Sequence, residues 1–246
     1  MNTTFNIQRF GLIIKRYFIE NKQRELTFWG IVTIVFMLLR DNESIIPFLL
    51  ISGYFVAAGT YKIFSFAPGG IHYLMIPATH LEKLVSDILI KTIYYFIAFI
   101  ITYIIGTYIG IQLENFIFTH NVPVEFNLFN LDSDPNQSRM ILWYIFYAYA
   151  IIQAVGMLGS LYFKRSAAMR TILTLIIVGI ILFWIEMLLL KLMYGTYHLD
   201  GRQFSYSFIP GENLKSTSEL TTKIIGYVTL PFLWIVSYFR LTEKEV

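Results

Sequence analysis

Few residues in this chain are equipped for chemistry, and their spacing removes most of the usual options. The 246 residues include four histidines, His72, His80, His120 and His198, and none sits at the short spacing that builds a metal site. There is no cysteine, so thiol catalysis, disulfides and Cys-zinc sites are excluded. No Gly-Lys dipeptide occurs, so no phosphate loop of the G-x-x-x-x-G-K-[ST] type exists; any ATP that drives this protein must be hydrolysed by another chain. Ser160 and Ser166 lack the G-x-S-x-G elbow of a serine hydrolase. The expectation is a protein that is not an enzyme and carries no metal or cofactor. Two polar residues inside long apolar runs remain, Glu186 and Gln153. A carboxylate in hydrocarbon is costly, so Glu186 should face protein or water. It could mark a translocation path, pair with Lys191, Arg40 or Arg139, or form a structural hydrogen bond between helices. Gln153 carries the same choice, tilted toward structure.

The most informative stretch runs from Gly69 to Lys83. Pro77 disfavours helix at Ile76 and suits a helix start. Thr79 with Glu82 three residues on has the form of a capping box, so a short helix is predicted to begin near Thr79. Leu81, Leu84, Val85 and Ile88 then supply an apolar face that leads into the next apolar run. Before it, Tyr73, Leu74, Met75 and Ile76 form an apolar run expected to be exposed on a loop. Such a run reads as a docking surface or as a segment folded back on its own bundle.

The elements that hold these residues follow from composition. Apolar residues make up 56% of the chain and charged ones 14%, with a mean hydropathy of +0.60. That is the make-up of a multi-span membrane protein, for which lipid is the solvent. Residues 5–25 are amphipathic and basic, and are expected to form an interfacial helix, the alternative being a plain cytosolic extension of the first span. Six spans are predicted, near Leu26–Leu39, Ile45–Tyr61, Ile88–Gln112, Met140–Phe163, Met169–Tyr194 and Ile224–Phe239. The fold class is therefore an all-α bundle forming one domain over residues 1–246. Segment 63–87 lies between the second and third spans, and 113–138 and 195–223 are the polar external loops. Basic residues set the orientation: 13 of the 19 fall inside if both termini are cytosolic. This predicts a multi-pass protein of the cytoplasmic (inner) membrane. Small residues at four-residue spacing, Gly53/Ala57, Thr102/Gly106/Gly110 and Gly156/Ser160, mark close helix packing within the chain or with a second copy. The bilayer is the expected surrounding, and nucleic acid is not an expected partner.

The pattern Tyr73, Leu74, Pro77, Ala78, Thr79, Glu82, Lys83 resembles the intracellular loop of exporter-type (ABC-2-like) ABC transporter permeases. The layout of a basic amphipathic helix before six spans is similar as well. The resemblance is specific over this loop alone and general elsewhere. It implies that Tyr73 to Lys83 form a coupling element docked on a separate ABC ATPase subunit. It also implies that two copies, or this chain and a related permease, assemble with two ATPases to move a substrate. The alternative from the residues alone is a non-transporting scaffold or assembly subunit of a larger membrane complex. A lipid-modifying enzyme is a third reading, and no recognisable site favours it.

Overall fold

The computed structural model describes residues 5–38, 45–65, 73, 75–118, 135–163, 166–194 and 212–244. All regular structure among them is helical. The helices are α1 (Ile7–Leu38), α2 (Ile45–Ala58), α3 (His80–Ile88), α4 (Tyr95–Phe118), α5 (Pro135–Tyr162), α6 (Ala167–Tyr194) and α7 (Glu212–Lys244). A 3-10 turn, Lys62–Ser65, follows α2, and a π-helical turn, Leu89–Tyr94, joins α3 to α4 without a break. Four stretches are long and apolar enough to cross a membrane: Ile45–Phe64, His80–Ile117, Ile141–Tyr162 and Ala167–Leu189.

Helix directions alternate along the chain. α1 runs parallel to α4, with Trp29 against Tyr95, and Phe36 against Phe99 and Tyr103. α2 runs parallel to α5, with Gly53 facing Tyr149 and Gln153, and Ala57 facing Gly156. α7 also runs parallel to α5, with Tyr227 on Tyr147, Leu230 beside Ala150 and Ala154, and Leu241 beside Leu161. The start of α1, the start of α3 and the end of α7 consequently share one end of the bundle.

The small residues do the work expected of them within this chain. A Cβ at Gly106 would lie 2.8 Å from the Thr33 carbonyl oxygen and 2.8 Å from Phe36 Cβ. At Gly110 it would meet the Met37 carbonyl oxygen at 2.7 Å. At Gly156 it would touch Ala57 Cβ at 3.0 Å. Only a missing side chain lets these backbones approach so closely.

One boundary is corrected. The amphipathic segment 5–25 and the first span are not separate helices, since α1 is unbroken from Ile7 to Leu38. No proline or paired small residues interrupt it, and Lys22-Gln23-Arg24-Glu25-Leu26 are strong helix formers. Side chains also bind across the expected junction, where Tyr17 and Trp29 both donate to Glu25. The stretches between helices are shorter than the expected polar segments 113–138 and 195–223, because α4 extends to Phe118, α5 starts at Pro135, and α7 starts at Glu212. The last third of segment 63–87 is helical and forms most of α3.

Candidate functional site at the loop-helix end

The helix start predicted near Thr79 is present, and the local sequence explains it. Thr79 is the N-cap of α3, in extended conformation at φ −72° and ψ 155°. Glu82 N–H donates to Thr79 Oγ1 at 3.2 Å, and Thr79 N–H donates to Glu82 Oε2 at 2.8 Å. The capping box is closed. The other Glu82 oxygen reaches 76 residues back: Asn6 N–H donates to Oε1 at 2.7 Å, and Arg9 Nη2 lies 3.1 Å from it. Glu82 is fully buried. One carboxylate therefore caps α3 and ties it to the first turn of α1 by charge-assisted bonds.

The rest of the loop sorts by direction. Tyr73 turns inward, with its ring 5.3 Å from Phe64 and 6.4 Å from Tyr61, and its hydroxyl donates to Asp87 Oδ2 at 3.0 Å. Lys83 is buried, its ammonium 5.4 Å from the centroid of the Tyr73 ring. Ile76, Ala78 and Thr79 are half-buried, while Pro77 is exposed. Leu74 lies outside the described residues. The expectation of an exposed Tyr73–Ile76 run is corrected in part: Met75 alone of its described members is fully outward, at 75% exposure. On α3, Leu84 packs into the core, whereas Leu81 and Val85 face out. Among the described residues, the outward large apolar side chains of the Tyr73–Ile76 run and α3 are thus Met75, Leu81 and Val85.

Next to the loop helix lies a wedge. α1 and α2 meet where Phe36 packs on Phe48, with ring centroids 5.4 Å apart. Toward the loop end they part around a cavity of about 610 Å³. Asp87, Ile90, Lys91 and Tyr95 line it from the α3–π–α4 rod, and Tyr17, Arg24 and Phe28 line it from α1. Phe55, Thr60 and Ile63 line it from α2 and the turn beyond. Lys91 Nζ donates to the Tyr17 hydroxyl at 2.8 Å and lies 4.7 Å from the centroid of the same ring. Tyr17 in turn donates to Glu25 Oε1 at 2.6 Å, and Trp29 Nε1–H to Glu25 Oε2 at 3.0 Å. Burial, and then the neighbouring Glu25 carboxylate, push the Tyr17 hydroxyl well above its usual range, so it stays neutral.

The π-helical turn has its own support. A π turn replaces the regular i to i−4 bonds by i to i−5 bonds, as from Tyr95 N–H to the Ile90 carbonyl, and carbonyls in the widened turn can accept from a side chain as well. The Tyr149 hydroxyl lies 3.1 Å from the Lys91 carbonyl oxygen and 3.3 Å from that of Thr92. Gln153 Nε2 donates to the Tyr149 oxygen at 2.9 Å, which leaves the hydroxyl proton for the turn. A Cβ at Gly53 would come within 2.7 Å of both side chains, so the glycine makes room for them.

Comparison with known protein families, curated protein sequences and solved structures returned no match. The site is therefore read from its own geometry. Gln153 is fully buried and structural in position. Glu186 sits elsewhere. It is exposed on α6, so it does not face this chain's own bundle. Arg40 lies outside the described residues, as do the side chains of Arg139 and Lys191. The structure brings Tyr73, Thr79, Glu82 and Lys83 to one end, and places Gln153 deeper and Glu186 apart. Sequence reasoning missed Asn6, Arg9, Asp87, Lys91, Tyr17 and Tyr149. Lys91 and Asp87 carried a faint signal, being charges four residues apart beside a long apolar run.

Proposed function

We propose that this chain is the membrane-spanning subunit of an exporter-type ABC transporter, moving its substrate with ATP hydrolysed by a separate ATPase chain. The observation that carries the reading is mechanical. α3 is capped, tied through Glu82 to Asn6 and Arg9, and continuous through the π turn with α4. A push on α3 is delivered to a 38-residue apolar rod and, through Glu82, to α1. The apolar side chains Met75, Leu81 and Val85 are what a docked partner would cover.

The same reading has six spans. The alternating helix directions support it, as does the position of the apolar half of α1 beside α4 and of α7 beside α5. Both termini are then cytosolic, in the inner membrane, as the basic-residue bias favours. α6 fits a bundle that assembles with a second permease copy or a related permease. Its most apolar window has no buried residue, and it holds Glu186. A lipid-facing carboxylate costs roughly 2.5–3.5 kcal/mol at mid-span on insertion scales, which favours a protein neighbour for Glu186.

Purification from native membranes tests this. The unmodified chain should retain an ATP-binding subunit, and Leu81→Asp should insert normally and lose it. Retention by the variant at the same stoichiometry removes the docking role. No ATPase on the unmodified chain removes the exporter reading in favour of a scaffold.

A further inference from the structure

We propose that the wedge between α1 and α2 binds an anionic amphiphile, its phosphate or carboxylate head on Lys91 and the first carbons of its chain against Phe28, Phe55 and Ile90. The cavity, about 610 Å³, is of the size that holds a small organic molecule, for which roughly 300–1,000 Å³ is usual.

The charges select the sign of the ligand. Each carboxylate in the lining already accepts a bond from this chain. Glu25 takes Tyr17 and Trp29 on its two oxygens, Asp87 takes Tyr73, and Glu20 takes Arg16 at 2.6 Å. Lys91 is different. Among the described residues no carboxylate lies within ion-pairing distance of its ammonium, which donates to a tyrosine hydroxyl instead. Glu25 and Asp87 attract it from beyond contact distance, but its only direct partners are a neutral oxygen and a ring face, and a half-buried cation so placed gains from an anion in contact with it. Arg24 and Lys62, both exposed lining residues, add positive charge, while the Arg16 charge is paired with Glu20.

One further group is compatible with a ligand that carries acceptor atoms. Thr60 Oγ1, on a lining residue, is buried and has no hydrogen-bond partner among the described residues. Orphaned buried hydroxyls are uncommon and costly, and an oxyanion could accept from this one. Beside these polar groups Phe28, Phe55, Val56, Ile63 and Ile90 form an apolar wall, which an inorganic ion would leave uncovered and an acyl chain would cover.

Binding can be measured without an ATPase, so the inference stands or falls separately from the exporter reading. The test uses the full chain in a neutral detergent, with native mass spectrometry to count bound probe. Lysophosphatidylglycerol, a long-chain fatty acid, lysophosphatidylcholine and inorganic phosphate are titrated in turn. One of the two anionic amphiphiles should bind one per chain at least tenfold more tightly than lysophosphatidylcholine, and which one does identifies the head as phosphate or carboxylate. Lys91→Gln should weaken that binding at least tenfold, and Lys91→Arg should restore most of it. Ile63→Trp, at a partly exposed lining position, should weaken binding with no change in thermal unfolding. Equal binding of the zwitterionic and anionic lysolipids overturns the proposal. So does inorganic phosphate binding as tightly as the amphiphiles, or binding that neither Lys91→Gln nor Ile63→Trp alters.

Discussion

α4 and α6 are both long apolar helices, and the molecule uses them in opposite ways. α4 buries Tyr95, Phe99 and Tyr103 on one face and presses Gly106 and Gly110 against the backbone of α1. α6 leaves Ile176, Ile180, Phe183 and Trp184 each about half exposed or more, and a Cβ at Gly179 would have no neighbour within 4 Å. Hydropathy does not separate the two. In a bilayer apolar character measures compatibility with lipid, and burial is decided by shape. What marks α4 as a packing helix is small residues at four-residue spacing beside a ladder of aromatic rings. α6 is joined to the bundle mainly at its start, where Thr171 lies under Gly159 and the Tyr54 hydroxyl donates to the Ala168 carbonyl at 2.7 Å.

The largest contrast is expected from one substitution made twice. Gly106→Leu must push against the Thr33 backbone, which cannot yield as a flexible side chain would. A loss of roughly 3 kcal/mol is expected, the upper end for an overpacked interior. Gly179→Leu should stay within about 0.5 kcal/mol. Unfolding curves of the two variants in detergent would measure this, and equal losses would erase the distinction between the helices.

Glu82→Ala comes next. It removes the acceptor for Thr79 N–H, Asn6 N–H and Arg9, and bonds to a charged group contribute about 1.5–3 kcal/mol each at most. A net loss of about 2 kcal/mol is expected, with faster hydrogen exchange over the first turns of α1. Glu186→Ala in the same assay should leave the isolated chain unchanged, because the Glu186 side chain is exposed. Protection of α1 that survives Glu82→Ala would show that the tether is not what orders it.

Thr79→Ala is smaller. Losing one side-chain cap costs about 1 kcal/mol, felt at the start of α3 and not in α6. Hydrogen exchange at Glu82 N–H reports it, since that donor loses its acceptor.

Much of this fold is legible in the residue types and their spacing. The capping box is local: Thr79, Glu82 and a preceding proline contain the whole signal, and α3 starts where they place it. The close packing of Gly53, Gly106 and Gly156 is legible too, because small residues at four-residue spacing form a groove along one helix face that a neighbouring backbone can enter. Three features are not legible. The unbroken α1 depends on the absence of a breaker near residue 25, and amphipathicity alone does not set a boundary. Glu82 looks complete as a capping residue, and nothing local says that its second oxygen serves Asn6. The wedge arises from the splay of α1 and α2 away from the contact of Phe36 with Phe48. Its charged residues read one by one as ordinary polar positions on separate segments.

The contrast that matters for function is between α3, which offers a few apolar side chains on a braced helix, and α6, which offers a whole apolar surface. A photoreactive amino acid placed at position 81, and separately at position 180, tells them apart in native membranes. The exporter account predicts that the probe at Leu81 forms an adduct with an ATP-binding protein and that the probe at Ile180 forms adducts with lipid or a second permease chain. An ATP-binding protein captured from neither position, in cells where the chain is folded and inserted, would contradict it.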